Sequence, residues 1–193
     1  SQRREQSLND VPLAVSAFRG EELRARGVQT FEDLTRTIPN IAVASYFASR
    51  AEISIRGVAM SDSFQSTDQQ PTGIYQDDVF LGSRAVHLAQ IFDLDRVEIL
   101  RGPQGVLFGR NTTSGAVRYM SKAPDEEQGG YLNASYGNFG TGEFSGAINL
   151  PTSDAWGIRL SGKARTSDGW AENVFTDKDV FGYDSWGARA VIQ

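Results

Sequence analysis

The chain has 193 residues, no cysteine, and 19 basic against 24 acidic side chains, for a formal net charge of −5. That balance gives no general attraction to nucleic acid or anionic lipid, and the missing thiols exclude disulfides, a thiolate nucleophile and cysteine-held metal or iron–sulfur centres. No window holds the roughly 18 apolar residues of a membrane-spanning helix, although strands that cross a membrane leave no such signal.

The first stretch, "SQRREQSLNDVPLAV", carries no apolar leader run. Residues 1 to about 124 then read as short elements of both kinds. "LAVSAF" (13–18) predicts a strand, and "GEELRARG" (20–27) a brief helix ended by Gly27. In "TFEDLTRTIPN", Thr30 and Asp33 have capping-box spacing and Pro39 marks the stop of a second helix. "EISIRGV" (52–58) alternates Ile53 and Ile55 against Glu52, Ser54 and Arg56, as a strand with one buried face does. Residues 59–72 form a polar loop without periodicity, and "GIYQDDVFL" (73–81) offers two strand halves around a turn at Asp77 and Asp78. "RVEIL" (96–100) and "AVRYM" (116–120) are further strands, and Pro103 between them suits the first turn of a helix. The sum predicts a small mixed α+β domain with long loops.

After "SKAPDEEQGG" the grammar changes. Following the alternating "YLNASYG", Phe144, Gly146, Ile148 and Leu150 share one parity and Glu143, Ser145 and Asn149 the other. Trp156, Ile158, Leu160, Gly162 and Ala164 oppose Arg159, Ser161, Lys163 and Arg165; Trp186, Ala188, Ala190 and Ile192 oppose Arg189 and Gln193. A charge facing lipid at mid-bilayer costs roughly 2–4 kcal/mol, so a barrel strand would keep these charges inward. The tight "PTSDA" connection followed by a predicted long loop over 167–184 also fits a barrel. A β-sandwich with one wet face alternates equally well, so periodicity alone leaves both architectures open.

The stretch "DRVEILRGPQGVLFGRNTTSGAVRYMSKAP" crowds Gly102, Gly105, Gly109 and Gly115 beside Arg101 and Arg110, which suggests a phosphate cradle, a hinge or a compact plug. A phosphate cradle needs G-x-x-x-x-G-K-[ST]; here the glycine spacing is one short and Arg110-Asn111 follows. There is no G-x-S-x-G elbow, and His87 is the single histidine. Asp77, Asp78, Asp93 and Asp95 read as turn chemistry before an acid pair or metal site, and Asp125, Glu126 and Glu127 as a solvated linker. No catalytic residue, metal site or cofactor is assigned.

The same stretch resembles the plug signature of TonB-dependent outer-membrane receptors, "ieRIEVlrGPqs.lyG..a.gGvinivTK". "VSAFRGEELRARGVQTFEDLTRTIPNIAV" resembles the first plug strand and helices, "ISIRGV" the IRG strand, and "PTGIYQDDVFL" the central "vyvDGvp" strand. "GGYLNASYGNFGTGEFSGAINLP" and "WGIRLSGKARTSDGW" resemble the first barrel strands, so the likeness covers nearly the whole chain. The resemblance implies an α+β plug domain over 1–124, a linker over 125–130, and about four antiparallel transmembrane β-barrel strands over 131–193.

A barrel needs at least about eight strands, so the expected whole is a longer receptor of which this is the N-terminal part, its barrel incomplete. The implied activity is energy-coupled uptake of a scarce small-molecule or oligosaccharide ligand across the bacterial outer membrane, with no enzymatic step and with the plug facing the periplasm. The implied partners are outer-membrane lipid and TonB with its inner-membrane motor complex, the TonB-contacting segment lying upstream of Ser1. Arg56, Arg101 and Arg110 are the expected plug–barrel contacts, by charge-assisted bonds to wall carboxylates. Gly57, Gly102, Pro103, Gly105, Gly109 and Gly115 are the expected backbone turns. Gln65, Asp68, Arg84 and His87, in polar loops, are the expected ligand contacts. The competing reading is a soluble periplasmic α/β domain joined to a β-sheet binding module, without transport.

Overall fold

The computed structural model describes residues 14–28, 30–36, 38–47, 50–58, 71–82, 91–109, 111–153 and 156–193. It divides after Ser121 into two compact units. The first contains β1 (Ala14–Arg19), α1 (Gly20–Ala25), α2 (Phe31–Thr35), β2 (Ile41–Phe47), β3 (Arg50–Ile55), β4 (Thr72–Gln76), β5 (Val79–Phe80), β6 (Leu94–Arg101), α3 (Gly105–Phe108) and β7 (Gly115–Ser121). Five of its strands form one sheet in the order β1-β6-β7-β4-β5, while β2 and β3 pair separately as a hairpin. Only β4 and β7 run parallel within the larger sheet.

Local chemistry explains the short elements. Thr30 Oγ1 accepts from the Asp33 amide at 3.1 Å, and Asp33 Oδ2 accepts from the Thr30 amide at 3.0 Å, so the capping box that starts α2 is complete. Asp77 and Asp78 take φ of 47° and 68°, as a two-residue hairpin turn between β4 and β5 requires. Buried Phe31, Leu34, Ile53, Ile55, Ile74, Val97, Ile99, Val117 and Tyr119 form the main core on one sheet face. Tyr75, Leu100, Phe108 and Ala116 form a smaller cluster on the other. Burial on both faces explains why Ile99 and Leu100 of β6 and Ala116 and Val117 of β7 are apolar at successive positions instead of alternating with polar residues. At Gly115, a Cβ would lie 2.3 Å from the Leu100 carbonyl oxygen, so the close approach of β7 to β6 requires glycine there.

Two expectations about this unit are corrected. The strand predicted over 52–58 ends at Ile55, because Arg56 and Gly57 turn with φ of 55° and 75° and send Val58 back to bridge Ile55. Pro103 is not in the first helical turn; Gln104 is the N-cap of α3 and Pro103 precedes it.

The second unit is one antiparallel sheet of β8 (Gly129–Tyr136), β9 (Gly142–Ser153), β10 (Trp156–Asn173) and β11 (Lys178–Ile192), in sequential order. The long loop predicted over 167–184 is instead paired backbone: Ser167 faces Tyr183 and Asn173 faces Lys178, leaving only 174–177 as the turn. Polar and glycine-rich composition suggested a loop, but the two strands satisfy each other's backbone groups as a long hairpin. The Asp125–Glu127 side chains are exposed, yet their backbone is anchored: buried Asn149 donates to the carbonyls of Asp125 and Glu127 at 2.7 and 2.6 Å.

The register sorts side chains by face as the parity predicts. Phe144, Ala164 and Trp186 stand in one row, Ile148, Leu160 and Ala190 in a second, and Leu150, Ile158 and Ile192 in a third. Glu143, Arg165 and Ser185, and Ser145, Lys163 and Gly187, form rows on the opposite face.

Candidate functional site

The two arginine motifs of the first unit converge. Arg56 ends the β3 hairpin with its guanidinium beside Gly102: a Cβ there would stand 4.0 Å from Arg56 Nη1. Arg101, at the end of β6, donates from Nη2 to Ser16 Oγ on β1 at 2.9 Å, while its Nε is buried without a partner. One side chain at this corner is thus exposed, and the other half-buried with an unused donor.

A second cluster lies deeper. Glu98 on β6 and Arg118 on β7 are directly opposite in the register. Arg118 Nη1 donates to Glu98 Oε2 at 2.6 Å and Nη2 to Asp78 Oδ1 at 2.6 Å, so one guanidinium ties the β4–β5 turn to two strands. Arg96 Nε donates to Glu98 Oε1 at 2.9 Å. Burial pushes the Glu98 carboxyl up, but the Arg96 hydrogen bond and the Arg118 charge outweigh it and hold the group below its ordinary range. Arg118 also stands 5.7 Å over the Phe108 ring. Asp77 turns the other way, accepting from the Ser121 amide at 2.7 Å and its hydroxyl at 2.6 Å. The Asp77-Asp78 pair therefore fastens the hairpin to β7 from both of its residues, Asp77 at the end of the strand and Asp78 at its middle. Among the described residues, no group of three or more His, Asp or Glu could hold a metal ion.

On the polar face of the second unit, Glu143 is paired with Lys163 at 3.3 Å and with Arg165 at 3.0 Å. Arg165 Nη2 also donates to the Tyr183 hydroxyl at 2.9 Å. The opposite face carries exposed Leu132, Phe144, Ile148, Leu160, Trp156, Trp186 and Ile192.

Of the residues singled out from sequence, Gly57, Gly102, Gly109 and Gly115 have φ of 75°, 97°, 76° and 155°, whereas Gly105 simply opens α3. Gln65, Asp68, Arg84, His87 and Arg110 lie outside the described residues. Sequence reasoning missed the Glu98–Arg118–Asp78 cluster. Its available signal was a single charge in each of two otherwise apolar runs, "VEIL" and "AVRYM", which a doubly buried sheet cannot hold unpaired.

The family model described as TonB-dependent Receptor Plug Domain matches residues 7–116. The chain belongs to that family. Over 131 residues, 67% of this chain, it is 30% identical to the pesticin receptor of Yersinia pestis, and it covers 18% of that protein. It is 26% identical over 166 residues to the ferrichrome outer membrane transporter/phage receptor of Escherichia coli, covering 83% of this chain and 21% of the relative. The chain thus spans about a fifth of the length of these curated relatives. Among solved structures, the ferric yersiniabactin uptake receptor FyuA from Yersinia pestis superposes with a TM-score of 0.85 at 22% identity, over 97% of this chain and 29% of FyuA. That likeness extends the shared fold beyond the plug to the antiparallel strands that follow it.

Proposed function

We propose that the plug and its four following strands belong to an energy-coupled outer-membrane receptor that imports a scarce ligand, driven by TonB and its inner-membrane motor, with the plug turned toward the periplasm. The ligand is a ferric siderophore, a vitamin or an oligosaccharide; the first two are supported by relatives named as a ferrichrome transporter and a vitamin B12 transporter. The reading involves no covalent step. Ligand binding is the trigger and the driving force comes from another membrane.

The observation that carries it is the four-stranded sheet. On its apolar face no charged residue occurs between the Trp156 end and the row of Phe144, Ala164 and Trp186; the first is Asp184, one row further out. The eight residue steps from Trp156 to Ala164 span about 27 Å along the strand. At a tilt of 35–45° this is about 20 Å of height, close to the roughly 25 Å apolar band of outer-membrane barrels, with tryptophan at both borders. A soluble periplasmic module would leave Phe144, Ile148, Leu160 and Trp186 in water, each 44–84% exposed. Lipid contact explains that face.

Within this reading Arg56, Arg101 and Arg110 bond carboxylates of the surrounding wall, and Gln65, Asp68, Arg84 and His87 face the ligand. The test is uptake by cells carrying the complete receptor, measured with labelled ferric siderophores, cobalamin and oligosaccharides, in hosts with and without TonB. Accumulation of one ligand class that disappears without TonB is expected. Uptake indifferent to TonB would reject the proposal.

A further inference from the structure

Ahead of β8, residues 122–128 form neither helix nor strand, yet they are held to the sheet at two points. Asn149 on β9 makes the first. Its Oδ1 accepts from the Asp125 amide at 3.0 Å, and its Nδ2 donates to the Asp125 carbonyl at 2.7 Å and to the Glu127 carbonyl at 2.6 Å. The side chain thus offers Asp125 the donor and acceptor that a neighbouring strand would offer, and its second amide hydrogen reaches Glu127. Asn149 is 1% exposed, with its oxygen and both amide hydrogens engaged.

Gly157 on β10 makes the second point. A Cβ there would lie 2.7 Å from Pro124 Cβ, so the strap sits where only glycine leaves room. Gly157 shares the parity of Arg159, which is opposite Asn149 in the register, so both points belong to the polar face. Four consecutive residues, Pro124 to Glu127, therefore cross that face from β10 to β9.

The grip is on main chain. The Asp125, Glu126 and Glu127 side chains are exposed, and the Lys122–Asp125 pair at 3.3 Å joins groups open to solvent. Water would satisfy the same backbone groups without the entropic cost of ordering the strap. What the three bonds add is a fixed position. With the clamp closed, only Lys122 and Ala123 are slack after Ser121, about 7 Å of extended chain; with it released, residues 122–128 give about 24 Å.

From this arrangement we infer that Asn149 is a positioning residue for transport: with Gly157 it clamps Pro124–Glu127 to the sheet, making the connection from the plug a short fixed tether instead of a loose hinge. The first unit ends at Ser121, so any pull carried along the chain into the sheet passes through this strap. A tether of two slack residues stops the plug from swinging away as one body, and a path for the ligand must then open by rearrangement within the plug. That use rests on the receptor reading. The clamp itself does not depend on it.

The test uses the complete receptor, in detergent and in cells. Asn149→Asp keeps the side-chain shape and the acceptor but removes both donors and sets a carboxylate against two carbonyls. Hydrogen–deuterium exchange should show protection of the Asp125 amide falling by about tenfold or more in this variant. Gly157→Ala, which displaces Pro124, should lower it too, and takes the place of Asn149→Asp if that variant does not assemble in the membrane. Cells with TonB that carry the released receptor should become severalfold more sensitive to vancomycin, a bulky solute, than cells carrying the parent; cells without TonB should not. Unchanged protection at Asp125 would overturn the clamp. A released strap with parent-like vancomycin sensitivity, or with a rise that does not need TonB, would overturn the tether role. Loss of protection in a receptor whose parent form shows no TonB-dependent uptake would support the clamp and reject the receptor reading.

Discussion

Glu98 and Arg118 face each other across β6 and β7, with Arg118 Nη1 2.6 Å from Glu98 Oε2 and both side chains more than nine-tenths buried. Arg118 also holds Asp78, whose side chain is 43% exposed. Removing the guanidinium leaves Glu98 buried beside Arg96 alone, so Arg118→Met is expected to destabilise the plug by about 3–5 kcal/mol in urea unfolding. Asp78→Asn breaks only a solvent-screened contact and should cost less than about 1 kcal/mol. Equal losses from the two variants would show that burial is not what gives the cluster its weight.

The same cluster sets a pH response. Glu98 is held below its ordinary value of 4.5, so it contributes stability that is fully present above about that pH and is lost as pH falls toward its folded-state value. Unfolding midpoints measured from pH 7 down to 3 should therefore decline more steeply for the parent than for Glu98→Gln below about pH 4.5. Parallel curves across that window would remove Glu98 from the acid response.

Arg101 separates an internal role from an external one. Its Nη2 serves Ser16, and its buried Nε has no partner. If the spare donor capacity meets the barrel wall, Arg101→Ala in the complete receptor should raise protease access to the plug and reduce uptake severalfold. Ser16→Ala, which removes only the contact within the plug, should leave uptake unchanged. Parent-like protease access and uptake in Arg101→Ala would dismiss the wall contact.

What could be read from sequence was what depends on local spacing. The Thr30–Asp33 capping box and the Asp77-Asp78 turn each need only a few neighbouring residues, and both are present. Strand parity was legible for the same reason: alternation along β10 separates Arg159, Lys163 and Arg165 from Ile158 and Leu160 without knowledge of any partner strand. Pairing was not legible. Glu98 and Arg118 are twenty residues apart and meet only because of the β6–β7 register. The length of the β10–β11 hairpin was also hidden, because Ser167, Gly169 and Asn173 have turn-like composition and the partners that hold them in a ladder, Tyr183, Phe181 and Lys178, come from the other strand.

In the proposed receptor, the apolar face of the four-stranded sheet lies against lipid and the polar face is turned away from it. Because the chain has no cysteine, single cysteines introduced at positions 158 to 165 of β10 can each carry a unique spin label in the membrane-embedded receptor. Labels at Ile158, Leu160, Gly162 and Ala164 should collide readily with oxygen dissolved in lipid, and those at Arg159, Ser161, Lys163 and Arg165 should not, giving a period of two. Uniform access of a water-soluble paramagnetic reagent along the strand would contradict the account.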